Sequence, residues 1–133
     1  MFSFGEGMIT EDQIVNILTN VFPTFVPDEE NRDLPYIILG DFARFLLEAF
    51  QRKDESLLKD AAALIERLFL EGDGYVRKAA TIGLLEGIQN TWPDSGIDPE
   101  TFAPYLLSES RRWWNPLNRF WNKEIPYVGA DVK

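Results

Sequence analysis

Apolar residues recur along the chain at the three- and four-residue steps of an amphipathic helix, and no stretch alternates long enough to predict a strand. Ile14, Ile17, Leu18 and Val21 form the first such stripe. Thr10 stands before it with Gln13 three residues on, the pattern of a capping box, so a helix is predicted to start there and to end at Pro23 and Pro27. Pro35 opens a second helix, because a proline at the first helical position sacrifices no hydrogen bond and has its φ already set. Its apolar stripe is Ile38, Phe42, Phe45, Leu46 and Ala49, and Asp41, Arg44, Glu48 and Arg52 line another face. "YIIL" (36–39) is the one short β-branched run, and its context is helical.

"KDES" (53–56) reads as a turn with a capping acid or serine, after which Leu58, Ala61, Ala62, Ile65, Leu68 and Phe69 predict a third helix stopped at Gly72. A fourth opens at Asp73 or Gly74 and runs to about Gln89. One of its faces is small (Ala79, Ala80, Gly83, Gly87) and the neighbouring one greasy (Val76, Leu84, Leu85, Ile88). Interior glycines cost about 1 kcal/mol each relative to alanine, so close packing of another helix is the expected compensation, and close approach of a ligand the alternative. Asp98 and Pro99 predict a fifth helix over roughly 99–107, broken at Pro104. In the last segment Trp113, Trp114, Leu117, Phe120 and Trp121 share one face, with Asn115 predicted to cap a new helix that has Pro116 at its first position. The expected fold is all-α: one domain over residues 1–133, a compact bundle of five to six helices, with loosely held ends at 1–9 and 126–133.

Composition narrows the chemistry. Neither cysteine nor histidine occurs in the 133 residues, which removes thiol nucleophiles, disulfides, the usual neutral-pH base and the commonest metal ligand. No phosphate-binding glycine loop with its lysine and no G-x-S-x-G is present, and Ser108 and Ser110 read as helix-start residues. No catalytic residue, cofactor or metal site is expected. No apolar run approaches a membrane span, and a cytoplasmic location is expected.

The net charge is −9, and it is uneven: residues 1–60 carry twelve acids against five bases, residues 61–133 ten against eight. Such a chain repels phosphate, so no nucleic-acid or membrane partner is expected. "SESRRWWNPLNRFWNK" (108–123) collects three of the four tryptophans, but on a single face, which favours a core helix over a stacking platform. Arg111 and Arg112 are expected over aromatic rings or beside nearby acids. The acids of Asp28, Glu29, Glu30 and Asp33, with Asp41 and Glu48 on the adjoining helix, are the candidate partner-binding residues.

Two resemblances bear on function. "DGYVRKAATIGLLEGI" (73–88) resembles the second half of HEAT-type helical repeats, in Asp73, Val76, Arg77, Ala79 and Ala80. It implies solenoid-like stacking, an Asp73 cap that also pairs with the arginine one turn on, and a scaffold or adaptor role. "LLSESRRWWNPLNRFW" (106–121), with Ser110, Arg111, Arg112 and Trp113 after "IGLLEGIQNTW" (82–92), is similar to a family of small bacterial all-α domains found beside polymorphic toxin genes. That likeness implies an immunity protein that blocks a toxin domain, for which a basic protein partner is expected. Asn115 and Pro116 stand where that family carries an acid. A third expectation is a bundle that binds a small molecule beside Gly83 and Gly87.

Overall fold

The computed structural model describes residues 8–121, with side chains as far as residue 117. Every regular element among them is helical, so the fold is all-α. A 3₁₀ turn at Glu11–Gln13 leads into α1 (Ile14–Val21). Gln13 Oε1 accepts the Thr10 N–H at 2.9 Å, the reach-back half of a capping box. α2 (Pro35–Gln51) starts on its proline as expected and ends where Lys53 takes a left-handed φ of 63°. Asp54 then caps α3 (Glu55–Glu71) by accepting the Leu57 N–H at 3.1 Å.

α4 (Gly74–Ala79), a π-helical segment (Ala80–Leu85) and α5 (Glu86–Thr91) continue one into the next. Asp73 Oδ1 accepts the Val76 N–H at 2.9 Å, the expected cap. The expected Asp73–Arg77 pair does not form; the Arg77 guanidinium points back to the Gly72 carbonyl at 3.4 Å.

α2 is the central helix. It packs against α1, α3, α4, the π segment and α5. Leu39, Phe42, Leu46, Ile65, Leu84 and Ile88 are wholly buried between these elements. At one end Phe22 and Phe25 close over Phe42 and Phe45 with ring centroids 5.2 to 6.1 Å apart. The small face of the fourth segment lies on α2. A Cβ on Gly83 would sit 3.2 Å from Leu39 Cβ and 3.5 Å from Tyr36 Cα; one on Gly87 would sit 3.4 Å from Ala43 Cβ. The small residues therefore serve helix packing inside the fold, and the space expected for a ligand beside Gly83 and Gly87 is filled by α2.

This contrast gives a stability prediction. A Cβ on Gly40, in the interior of α2, would meet nothing within 4 Å. Gly40→Ala should raise stability by about 0.5–1 kcal/mol through helix propensity alone. Gly83→Ala gains the same propensity but presses on Leu39 Cβ, which cannot rotate away, so α2 must move. A net loss of about 1 kcal/mol is expected. Urea unfolding of the two variants should shift in opposite directions.

Three expectations are corrected. The predicted fifth helix is two 3₁₀ turns, Pro99–Thr101 and Ala103–Tyr105. Asp98 does cap the first, accepting the Glu100 N–H at 2.9 Å, but Pro104 has no N–H to carry an α-helix onward. The last segment is one helix, α6 (Ser108–Trp121), with Pro116 inside it and no new start at Asn115. Burial holds the turn on both sides of the proline: Trp114 and Leu117 are wholly enclosed, and Gln89 Nε2 donates to the Trp114 carbonyl at 3.1 Å. Finally, Ile9 is not loosely held. It is 3% exposed and bridges Gly72 in parallel, donating to the Glu71 carbonyl at 2.8 Å and accepting the Asp73 N–H at 2.9 Å. The tail at 126–133 lies outside the described residues.

Candidate functional site

Four of the six candidate acids share one turn. Asp28 caps the 3₁₀ turn Glu29–Asn31 by accepting the Glu30 N–H at 3.0 Å, which fixes the loop that presents them. Arg32 Nη1 pairs with Glu29 at 3.3 Å, while its Nη2 donates to Asn16 Oδ1 at 3.4 Å and ties the loop to α1. Glu30 and Asp33 are exposed. Asp41 pairs with Arg44 at 2.8 Å, one turn on, and Glu48 is exposed two turns beyond Asp41, roughly 10 Å along the axis.

Asp41 and Glu48 are not isolated charges. Leu34, Ile37, Asp41, Arg44 and Glu48 recur at steps of three and four, so they form one outward stripe of α2. Leu34 and Ile37 are each 46% exposed. Two bare apolar side chains thus stand at the N-terminal end of α2, directly after the acidic turn and ahead of Asp41. The periodicity of α2 marked its buried face, and these two residues were missed because a lone exposed leucine or isoleucine carries no signal in a sequence.

Asp33 also borders an open groove of about 570 Å³, where it meets Glu11, Asp12, Asn16, Arg32 and Asp73. Asp28, Glu29, Glu30, Asp41 and Glu48 are not part of that groove. Its other acids come from the turn before α1 and from the cap of α4, which the Ile9–Gly72 bridge draws together. Tyr75, 37% exposed, follows the α4 cap by two residues and lies edge-on to Tyr36 with centroids 5.8 Å apart. Burial pushes both phenols up from their ordinary range, and for Tyr75 the negative charge of Glu11 and the neighbouring Tyr36 add to the effect.

Among the described side chains of α6, Trp114 and Leu117 turn inward and Trp113 is half-buried; Trp92, just after α5, is enclosed as well. Trp92 and Trp114 are both 0% exposed. Trp92 Nε1 donates to the Ala43 carbonyl at 3.1 Å, and Trp114 Nε1 to Glu100 Oε2 at 2.7 Å. Among the described residues both arginines bond to oxygens. Arg111 donates to the Ala103 carbonyl at 2.7 Å, and Arg112 pairs with Glu109 at 3.2 Å on its own helix. The side chains of Phe120 and Trp121, and Lys123, fall outside the described residues.

Ser110 is wholly buried against Glu66 of α3. Its hydroxyl donates to Glu66 Oε1 at 2.8 Å, and its N–H does so at 2.9 Å; the Glu109 N–H reaches Oε2 at 3.1 Å. Burial opposes the charge on Glu66, yet these backbone and hydroxyl bonds outweigh it and hold the carboxyl below its ordinary value. This is a structural latch. Among the described residues no group of three or more acids is placed to hold a metal ion, and no helix is long and apolar enough to cross a membrane.

A family model described as "Domain of unknown function (DUF7674)" matches residues 15–122, most of the chain, and the protein belongs to that family. No curated protein and no solved structure matches it.

Proposed function

We propose that this member of a family without assigned activity is a protein-binding module, acting as an immunity protein that covers a basic toxin domain. The observation that carries the reading is the α2 stripe: Leu34 and Ile37, each 46% exposed, set between the acidic turn at 28–33 and Asp41. Apolar anchors inside a charged surround are how protein interfaces are commonly built, the anchors setting lifetime and the charges setting encounter rate. A toxin domain that works on nucleic acid presents a basic cleft, and a carboxylate-rich surface can occupy it in place of phosphate. The net charge of −9 supports steering toward such a cleft.

The test uses the product of the adjoining gene as the partner, with association followed against ionic strength. Reversing Asp28, Glu29 and Asp33 to lysine together should slow association about tenfold or more and flatten its salt dependence. Leu34→Asp with Ile37→Asp should instead shorten the lifetime of the complex, at nearly the same association rate. Affinity unchanged by the triple reversal would sink the acidic-surface mechanism.

A further inference from the structure

A second surface lies on the α1–α3 side. Val21 of α1 and Asp60, Ala63, Leu64 and Arg67 of α3 line a shallow depression of about 270 Å³. Arg67 also borders a neighbouring depression that contains Met8 and Ile17, so the two form one trough. Val21 is 44% exposed, and Leu70, 66% exposed, follows Arg67 by three residues on the same side of α3.

The charges on this face are self-complementary. Asp60 and Arg67 are seven residues apart on α3, hence on one side of the helix and about 10 Å from each other along its axis. Ala63 and Leu64 lie midway between them. A two-fold axis through that midpoint would run two α3 helices antiparallel, placing each Asp60 against the other copy's Arg67 and bringing the small Ala63 positions together. Arg67 now pairs with Glu71 at 3.2 Å. That bridge is solvent-exposed, and a guanidinium has donors enough to hold both acids.

We infer that a second copy of this chain covers the trough, in a two-fold antiparallel α3–α3 contact closed by reciprocal Asp60–Arg67 pairs. α3 is 17 residues long, about 25 Å, and a face of that length two helices wide falls short of a standard interface. Association is therefore weak, with a dissociation constant in the micromolar range or above. The surface is separate from the α2 stripe, so it stands or falls independently of the immunity reading.

Sedimentation equilibrium from about 10 μM to about 1 mM tests it. The wild-type mass should rise toward twice the monomer. Asp60→Lys and Arg67→Glu each oppose like charges and should weaken association about tenfold or more, whereas the double variant exchanges the charges and should restore it. Both positions are exposed, so circular dichroism should find each variant folded. A wild type that stays monomeric throughout, single variants that associate like wild type, or a double variant that fails to recover would each overturn the contact.

Discussion

Replacing Trp92 by alanine is expected to cost about 3–5 kcal/mol, a large share of the stability of any single domain. The indole is 0% exposed, with ring centroids 5.3 Å from Phe50 of α2 and 5.6 Å from Phe102 in the turn before the 3₁₀ segment Ala103–Tyr105. It therefore joins α2 to the irregular stretch that leads into α6, and alanine would leave a cavity between them. Its N–H also gives the Ala43 carbonyl a donor at 3.1 Å. Trp92→Phe keeps most of the ring but loses that bond, so a smaller loss, about 2 kcal/mol, is expected. Trp114→Phe makes a useful comparison. It too loses an indole bond, but the freed partner is the carboxylate of exposed Glu100, to which water returns. Urea unfolding should rank the variants in the order Trp92→Ala, Trp92→Phe, Trp114→Phe. Trp92→Ala within 1 kcal/mol of wild type would mean the site collapses freely, against the packing described.

What the sequence made legible was what depends on neighbours in the chain. α2 and α3 could be placed from Pro35, the acid at 54 and the apolar stripes, because caps and stripes are local devices read within one or two turns. The inward turn of Trp114 and Leu117 was legible for the same reason. Pairings across long separations were not. Ile9 meets Gly72 and Glu66 meets Ser110 through groups that, taken singly, look like an end residue, a surface acid and a helix-start serine. The π segment gave no signal either, since Ala80–Leu85 has the composition of an ordinary helix. Pro116 misled in the other direction: the cost of a proline inside a helix is real, but burial of Trp114 and Leu117 on its two sides offsets it.

The same distinction governs the candidate surface. Asp28 to Asp33 were visible as a run of acids between prolines, and the periodicity of α2 put Asp41 and Glu48 on its outer side. Their setting was not visible. That Leu34 and Ile37 stay bare beside them depends on which flank of α2 the other helices leave open, a property of the assembled bundle. Nor could Glu11, Asp12 and Asp73 be grouped with Asp33, because three elements distant in sequence must meet first. Acids are abundant throughout the chain, so only their company distinguishes a contact surface from a solvated face, and company is tertiary information.

Removing the Glu66 carboxylate should release the N-terminal turn of α6. Glu66→Ala strips the acceptor from the Glu109 N–H, the Ser110 N–H and the Ser110 hydroxyl at once, and the Ser110 groups are too deeply buried to find water. First-turn N–H groups of a helix have no partner within it, so the loss is not made good locally; about 2–4 kcal/mol is expected. Glu66→Gln keeps one oxygen but turns an amide toward the remaining donor and removes the negative charge from the positive end of α6. A loss of about 1–2 kcal/mol is expected. The pH dependence has a definite sign. The folded-state value lies below the ordinary 4.5, so the carboxylate's contribution is complete above that value and disappears as pH falls through the folded-state value beneath it. Wild type and Glu66→Gln should therefore differ most near neutrality and converge in acid, with hydrogen exchange at Glu109 and Ser110 rising in the variant first. A difference that grew on acidification would show that the latch is held by something other than the ionised carboxylate.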